Sequence, residues 1–128
     1  MVWDVQYHDD SQIIELTFSG KTTGPELKEA AASRIQLAKE MGARKNLINT
    51  FEMQAPKSTI LDVLEIPVKV YSEKRMDRTS SIAVVRPSDE DSHWITQFYE
   101  NASVMRGWIV QIFSNRDDAI DWLQSSKE

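Results

Sequence analysis

The sequence predicts an α/β protein built on a mixed, mostly parallel sheet of about five strands that opens with a β-hairpin. Three observations carry this expectation. In the last third of the chain a strand followed by a helix is written twice: residues 81–86 lead into 88–105, and 108–113 lead into 115–123. Short buried strands that alternate with helical periodicity specify parallel pairing. At the start of the chain, two strand-like runs are separated only by His8-Asp9-Asp10-Ser11, whose short polar side chains suit a tight turn. Between this hairpin and the next apolar run lies a well-delimited helix, which supplies the first crossover.

Taken in order, residues 2–7 and 12–18 are the hairpin strands. Thr23-Gly24-Pro25-Glu26 then opens a helix, with threonine as cap, proline in the first turn and glutamate closing a capping box. Leu27, Ala31, Ile35, Ala38 and Met41 recur at helical spacing, and Gly42 stops it. Residues 47–51 form the next strand, followed by a loop over 52–57. Ser58 or Thr59 is read as the cap of a helix carrying Ile60, Leu61 and Leu64. Pro67 predicts a kink or a break, because a proline inside a helix removes a hydrogen bond and clashes with the preceding turn. Residues 68–78 follow as a second helical piece and a basic loop. The resulting order is β-β-α-β-α-β-α-β-α, with a core including Ile14, Leu16, Ile35, Leu47, Ile48, Ile82, Val84, Val110, Ile112 and Leu123.

Composition narrows the functional classes. A chain of 128 residues, 41% hydrophobic and 27% charged, has the make-up of one globular domain, expected to span residues 1–128. No stretch reaches the length of an apolar membrane span, so an integral membrane protein is not expected. The N-terminus opens on strand-like Val2-Trp3-Asp4-Val5 without a basic segment or cleavable apolar core, and a cytoplasmic location is expected. With no cysteine, disulfides, thiolate chemistry and cysteine metal sites are excluded. A formal charge of −5 argues against nucleic acid as a partner, since neutralising phosphates needs a basic surface.

Several residues carry a resemblance. Ile14-Glu15-Leu16, Phe18-Ser19-Gly20, the helix opening at Thr23, the strand Leu47-Ile48-Asn49 and the closing series Gly107-Trp108, Phe113, Ala119, Trp122-Leu123 resemble the SpoIIAA-like proteins. These belong to the STAS and Sec14-like group of small bacterial domains. The resemblance covers nearly the whole chain and is a pattern of packing residues. It implies a SpoIIAA-like sandwich, and a non-enzymatic regulatory or protein-interaction module of a bacterial cell. In the anti-sigma-factor antagonists of the STAS group, a serine at the start of the helix after the third strand is phosphorylated within an Asp-Ser-(Ser/Thr)-Gly-Leu setting. The comparable place here is Ser58-Thr59, with Lys57 where the aspartate stands and Ile60 where the glycine stands. Ser58 and Thr59 are therefore candidate phosphosite or partner-contact residues, with helix capping as the preferred structural role.

Other motifs have adequate structural explanations. Gly20-Lys21-Thr22 is similar to the end of a P-loop, but Glu15 stands where the first glycine would be, so an ordinary strand-to-helix turn is expected. Asp89, Glu90, Asp91 and His93 gather metal-ligand chemistry, yet Ser88 with Asp91 reads as a capping pair and acids in a first turn suit the helix dipole. Neither a metal nor any other cofactor is expected. His8 is read as an exposed turn residue. Trp94, Phe98 and Tyr99 recur at helical spacing as core, with Trp94 and Tyr99 able to line a pocket. Lys74, Arg75 and Arg78, with Lys69, Arg86 and Arg106, make the concentrated basic region, an anion, lipid-headgroup or partner surface if not simply solvated charge.

Two binding functions follow from the resemblance: a regulatory module that contacts another protein, and a Sec14-like carrier or sensor of a small apolar or lipid-like ligand. The second needs a cavity between the sheet and the segment from Ile60 to Tyr71. An enzyme using Asp, Glu or His at a cleft is the third class, and an oligomer is compatible with all of them. In parallel sheets ligands gather at the carboxyl ends of strands. A contact surface is therefore expected on the loops at 49–59, 87–93 and 115–117, joined to the basic segment Lys74 to Arg78.

Overall fold

The strand order follows from the connections. Each parallel strand is laid down beside its predecessor, and right-handed crossovers then put every connecting helix on the same face of the sheet. The computed structural model, which describes residues 2–125, has this arrangement; residues 1 and 126–128 of the expected domain lie outside the described residues. Strands β1 (Trp3–His8), β2 (Ile13–Lys21), β3 (Lys45–Gln54), β4 (Ser81–Val85) and β5 (Ile109–Phe113) form one sheet in the order β1-β2-β3-β4-β5. β1 and β2 are antiparallel, and the remaining pairs are parallel. Helix α1 (Gly24–Met41), the segment α2 (Ile60–Glu65) with α3 (Tyr71–Glu73), and α4 (His93–Val104) are the three crossovers and share one face. Helix α5 (Arg116–Ser125) follows the last strand and covers the other, packing on β3, β4 and β5.

The helix α1 begins as its sequence dictates. Thr23 accepts from the Glu26 amide, Glu26 accepts from the Thr23 amide at 2.8 Å, and Gly42 ends the helix with φ 64°. The strand β3 is longer than its apolar run, because Lys45, Asn46, Glu52, Met53 and Gln54 also pair with β2. Pro67 does not break its helix. The residues Ile66–Val70 form a π-helical turn between α2 and α3, a single wide turn that absorbs the missing amide.

Two apolar layers result. Between the sheet and the three crossover helices lie Leu16, Phe18, Leu27, Ile48, Ile82 and Val84, among others; beneath α5 lie Ile13, Leu47, Ala83, Val85, Ala119 and Leu123. Of the ten expected core positions nine are buried, and Ile112 is partly buried against the larger layer because β5 is an edge strand.

Two expected side-chain caps are not formed. Thr59 closes a short 3₁₀ turn, Lys57–Thr59, and its hydroxyl donates to the Pro56 carbonyl at 2.8 Å instead of capping α2. Before α4, Ser88 donates to the Phe51 carbonyl, and Ser92 rather than Ser88 bonds an acid, donating to Asp89 at 2.7 Å. The turn Glu90–Ser92 thereby replaces the expected Ser88–Asp91 capping pair.

Candidate functional site

The inner face of α1 places Leu27, Ala31 and Arg34 over the centre of the sheet, because residues four and seven apart lie on one helical stripe. Small Ala31 leaves room that neither Leu16 and Ile48 below nor Val63, Ile66 and Ile95 from α2, the π turn and α4 fill. The result is a cavity of about 50 Å³ whose walls are almost wholly apolar. Its position is between the sheet and the Ile60 to Tyr71 segment. The π turn with Pro67 forms part of its wall through Ile66.

A buried polar cluster adjoins this cavity. Arg34 is fully buried; its Nη1 donates to Asn46 Oδ1 at 2.6 Å and its Nη2 to the Tyr71 hydroxyl at 2.5 Å. The Tyr71 hydroxyl is in turn bonded to that of Tyr99, and the Arg34 guanidinium lies 5.3 Å from the Tyr71 ring centre. Burial, and then the neighbouring Tyr71, push the Tyr99 phenol well above its ordinary value. Tyr99 thus lines the pocket, as its sequence position suggested. Trp94 does not line it: its ring packs on the core beside Phe98 and its indole N–H donates to the Ala55 carbonyl at 3.2 Å.

Arg34 went unread in the sequence. The signal was present: it stands seven residues after Leu27, on the stripe that also carries Ala31 and Ile35, where a charged residue is out of place.

The sequence-predicted residues fall in two distant places. Ser58 is exposed on the rim of an open groove at the carboxyl ends of the strands, whereas the Thr59 side chain beside it is buried, with 4% of the residue exposed. The groove is lined by Lys21 and Lys57 against Asp62, Asp89 and Asp91, so carboxylates outnumber ammonium groups on this part of the expected contact surface. Lys74, Arg75 and Arg78 lie at the opposite end of the sheet, ahead of β4. Lys39 donates to the Lys74 carbonyl, Arg78 donates to the Arg106 carbonyl at 2.5 Å, and the Arg78 guanidinium stacks 3.9 Å over the Trp108 ring centre. Arg86 follows β4 at the far end and does not join them. The expected single surface joining Ser58 and Thr59 to the basic segment is therefore not formed: a parallel strand separates its start from its end by its whole length. Exposed Met41, Val104, Met105 and Ile109 accompany the basic residues at that end.

His8 is not an exposed turn residue. It ends β1, partly buried, and its Nε2 donates to Glu15 Oε1 at 2.8 Å. Arg116 at the start of α5 grips the same buried carboxylate through two bonds of 2.9 and 2.7 Å. Gly20, next to last in β2, has φ 82°, and Thr22 Oγ1 donates back to the Gly20 carbonyl, the ordinary strand-to-helix turn that the sequence suggested.

No protein-family model and no curated protein matches this sequence. Among solved structures the chain is similar to an uncharacterized protein of the DUF3478 family from Shewanella loihica PV-4, itself described as SpoIIAA-like. The match covers 94% of this chain and 91% of that one, with a TM-score of 0.56 and 19% sequence identity. The chain has a SpoIIAA-like fold. Identity at this level carries the fold and no residue roles, since one fold hosts many functions. Among the described residues of this SpoIIAA-like domain, no helix is long and apolar enough to cross a membrane.

Proposed function

We propose that this SpoIIAA-like chain is a non-enzymatic binding module of the bacterial cytoplasm that takes a small apolar ligand into the cavity beneath α1. The observation that carries this reading is the cavity itself. Close packing normally leaves few voids larger than a water molecule, and an apolar void forfeits contacts on every side. An apolar molecule recovers those contacts, and the surrounding helices supply the wall, the π turn included.

A second reading, the regulatory protein-interaction module, is favoured by one observation: Ser58 is exposed on the rim of the polar groove, where a kinase or a partner can reach its hydroxyl. The two readings are compatible, since a module that senses a ligand can pass its state to a partner.

Native mass spectrometry of the protein purified from its own host tests the first reading. A co-purified small molecule is expected, and after extraction it should rebind the parent protein but not Ala31→Leu, in which the cavity is filled. Cooperative melting of Ala31→Leu establishes that the variant is folded. Protein that emerges ligand-free and is not stabilised by a panel of small apolar compounds would overturn the reading.

A further inference from the structure

Arg34 presents a physical problem that its neighbours do not solve. A guanidinium taken out of water needs a compensating charge, or the desolvation cost stands largely unopposed. Arg34 is at 0% exposure, and its hydrogen-bond partners are an amide oxygen and a phenolic hydroxyl. Its Nε is buried without a partner. Among the described residues, the ion pairs join Glu15 to His8 and Arg116, and Asp62 and Glu65 to Lys28; none reaches Arg34. Tyr99 cannot serve as a counter-charge either, because burial holds its phenol in the neutral form.

The same side chain borders the apolar cavity. From this juxtaposition, an unpaired buried cation beside an apolar void, we infer that the ligand of the cavity is a small carboxylic acid bound as its anion. Its carboxylate pairs with Arg34 and its apolar body lies against Leu16, Ala31, Val63 and Ile95. The inference rests on the reading of the cavity as a ligand site and adds the ligand's charge to it. A guanidinium offers several donors in a fixed fork and recognises a carboxylate better than any neutral head group. The cavity's volume of about 50 Å³ favours a short or branched body over a long acyl chain.

The test compares 3-methylbutanoate with 3-methyl-1-butanol, which share a short branched body that suits the cavity and differ in the head group. Each is titrated into the whole protein by calorimetry, and the Arg34 Nε–H resonance is followed by NMR. The acid should bind the parent about tenfold more tightly than the alcohol, as a charge-assisted hydrogen bond requires, and should move the Arg34 resonance. In Arg34→Gln the preference for the acid should vanish while binding of the alcohol persists. Equal affinities for acid and alcohol in the parent, or a preference that survives in Arg34→Gln, would overturn the assignment of charge and leave the cavity reading standing. Absence of binding by both compounds would remove the cavity reading and this inference together. Should Arg34→Gln fail to fold, the acid-to-alcohol ratio and the Nε–H shift in the parent decide the matter.

Discussion

At the scale of the residue, neighbours in sequence have opposite environments. Ser58 and Thr59 look interchangeable as hydroxyls at a helix start, yet Ser58 faces solvent and Thr59 is 4% exposed with its hydroxyl committed to Pro56. A carboxylate at position 59 would be buried without a cationic partner and would leave the Pro56 carbonyl unsatisfied, at a cost of about 3 kcal/mol or more. At position 58 the same charge remains in water, where surface substitutions stay within about 0.5 kcal/mol. Urea denaturation should therefore find Ser58→Asp close to the parent and Thr59→Asp severely destabilised. A tolerated Thr59→Asp would mean that the 3₁₀ turn opens readily. Only Ser58 is thus a usable position for testing whether negative charge controls a partner.

At the scale of the element, α5 covers its face of the sheet through Ala119 and Leu123, both at 0% exposure, and is fastened at its start by Arg116 to Glu15. The Glu15 carboxyl feels opposing influences. Burial lifts it, while hydrogen bonds and charge from Arg116 and His8 together overcome burial and hold it below the ordinary glutamate value. A lowered folded value means that the contribution to stability is fully present above the unfolded value, about 4.3, and is lost as pH falls through the folded one. With Arg116 44% exposed, the pair is worth on the order of 1 kcal/mol. Glu15→Gln should accordingly be less stable than the parent at pH 7, with the gap closing as the pH drops below about 4. A gap that persists unchanged into strong acid would show the loss to be one of packing and not of charge.

At the scale of the molecule, the helical layer and the α5 layer are unequal. Three crossovers share one side of the sheet, and the larger apolar layer on that side contains the cavity. Any ligand held there binds the folded state alone, because its walls come from β2, β3, β4, α1, α2 and α4 together. At a hundred times its Kd such a ligand adds about 2.7 kcal/mol to stability. For a domain of this size, that should raise Tm by roughly 10 °C, with the rise growing as the logarithm of ligand concentration. A differential-scanning measurement with the co-purified ligand checks this. A Tm independent of ligand concentration would place that molecule outside the folded core.

The sequence by itself determined the class of fold, the order of elements, the hairpin and both ends of α1, because these are local matters. Periodicity decides helix or strand, Thr23 with Glu26 and Gly42 fix the boundaries, and right-handed crossovers leave few arrangements for such an order. It also determined which apolar residues face inward, since a face is a property of spacing. Whatever depended on residues far apart in the chain was decided only by tertiary structure. The polar cluster joins Arg34, Asn46, Tyr71 and Tyr99 from four elements, and no local pattern links them. Glu15 and Arg116 meet across 101 positions, and His8 at the end of β1 joins the same part-buried network. The separation of Ser58 from Lys74, Arg75 and Arg78 likewise follows from strand direction, which places residues after β3 and residues before β4 at opposite ends of the sheet. The void beside Ala31 exists only because three helices and the sheet approach it without meeting, and volume left unfilled is a property of the packed whole.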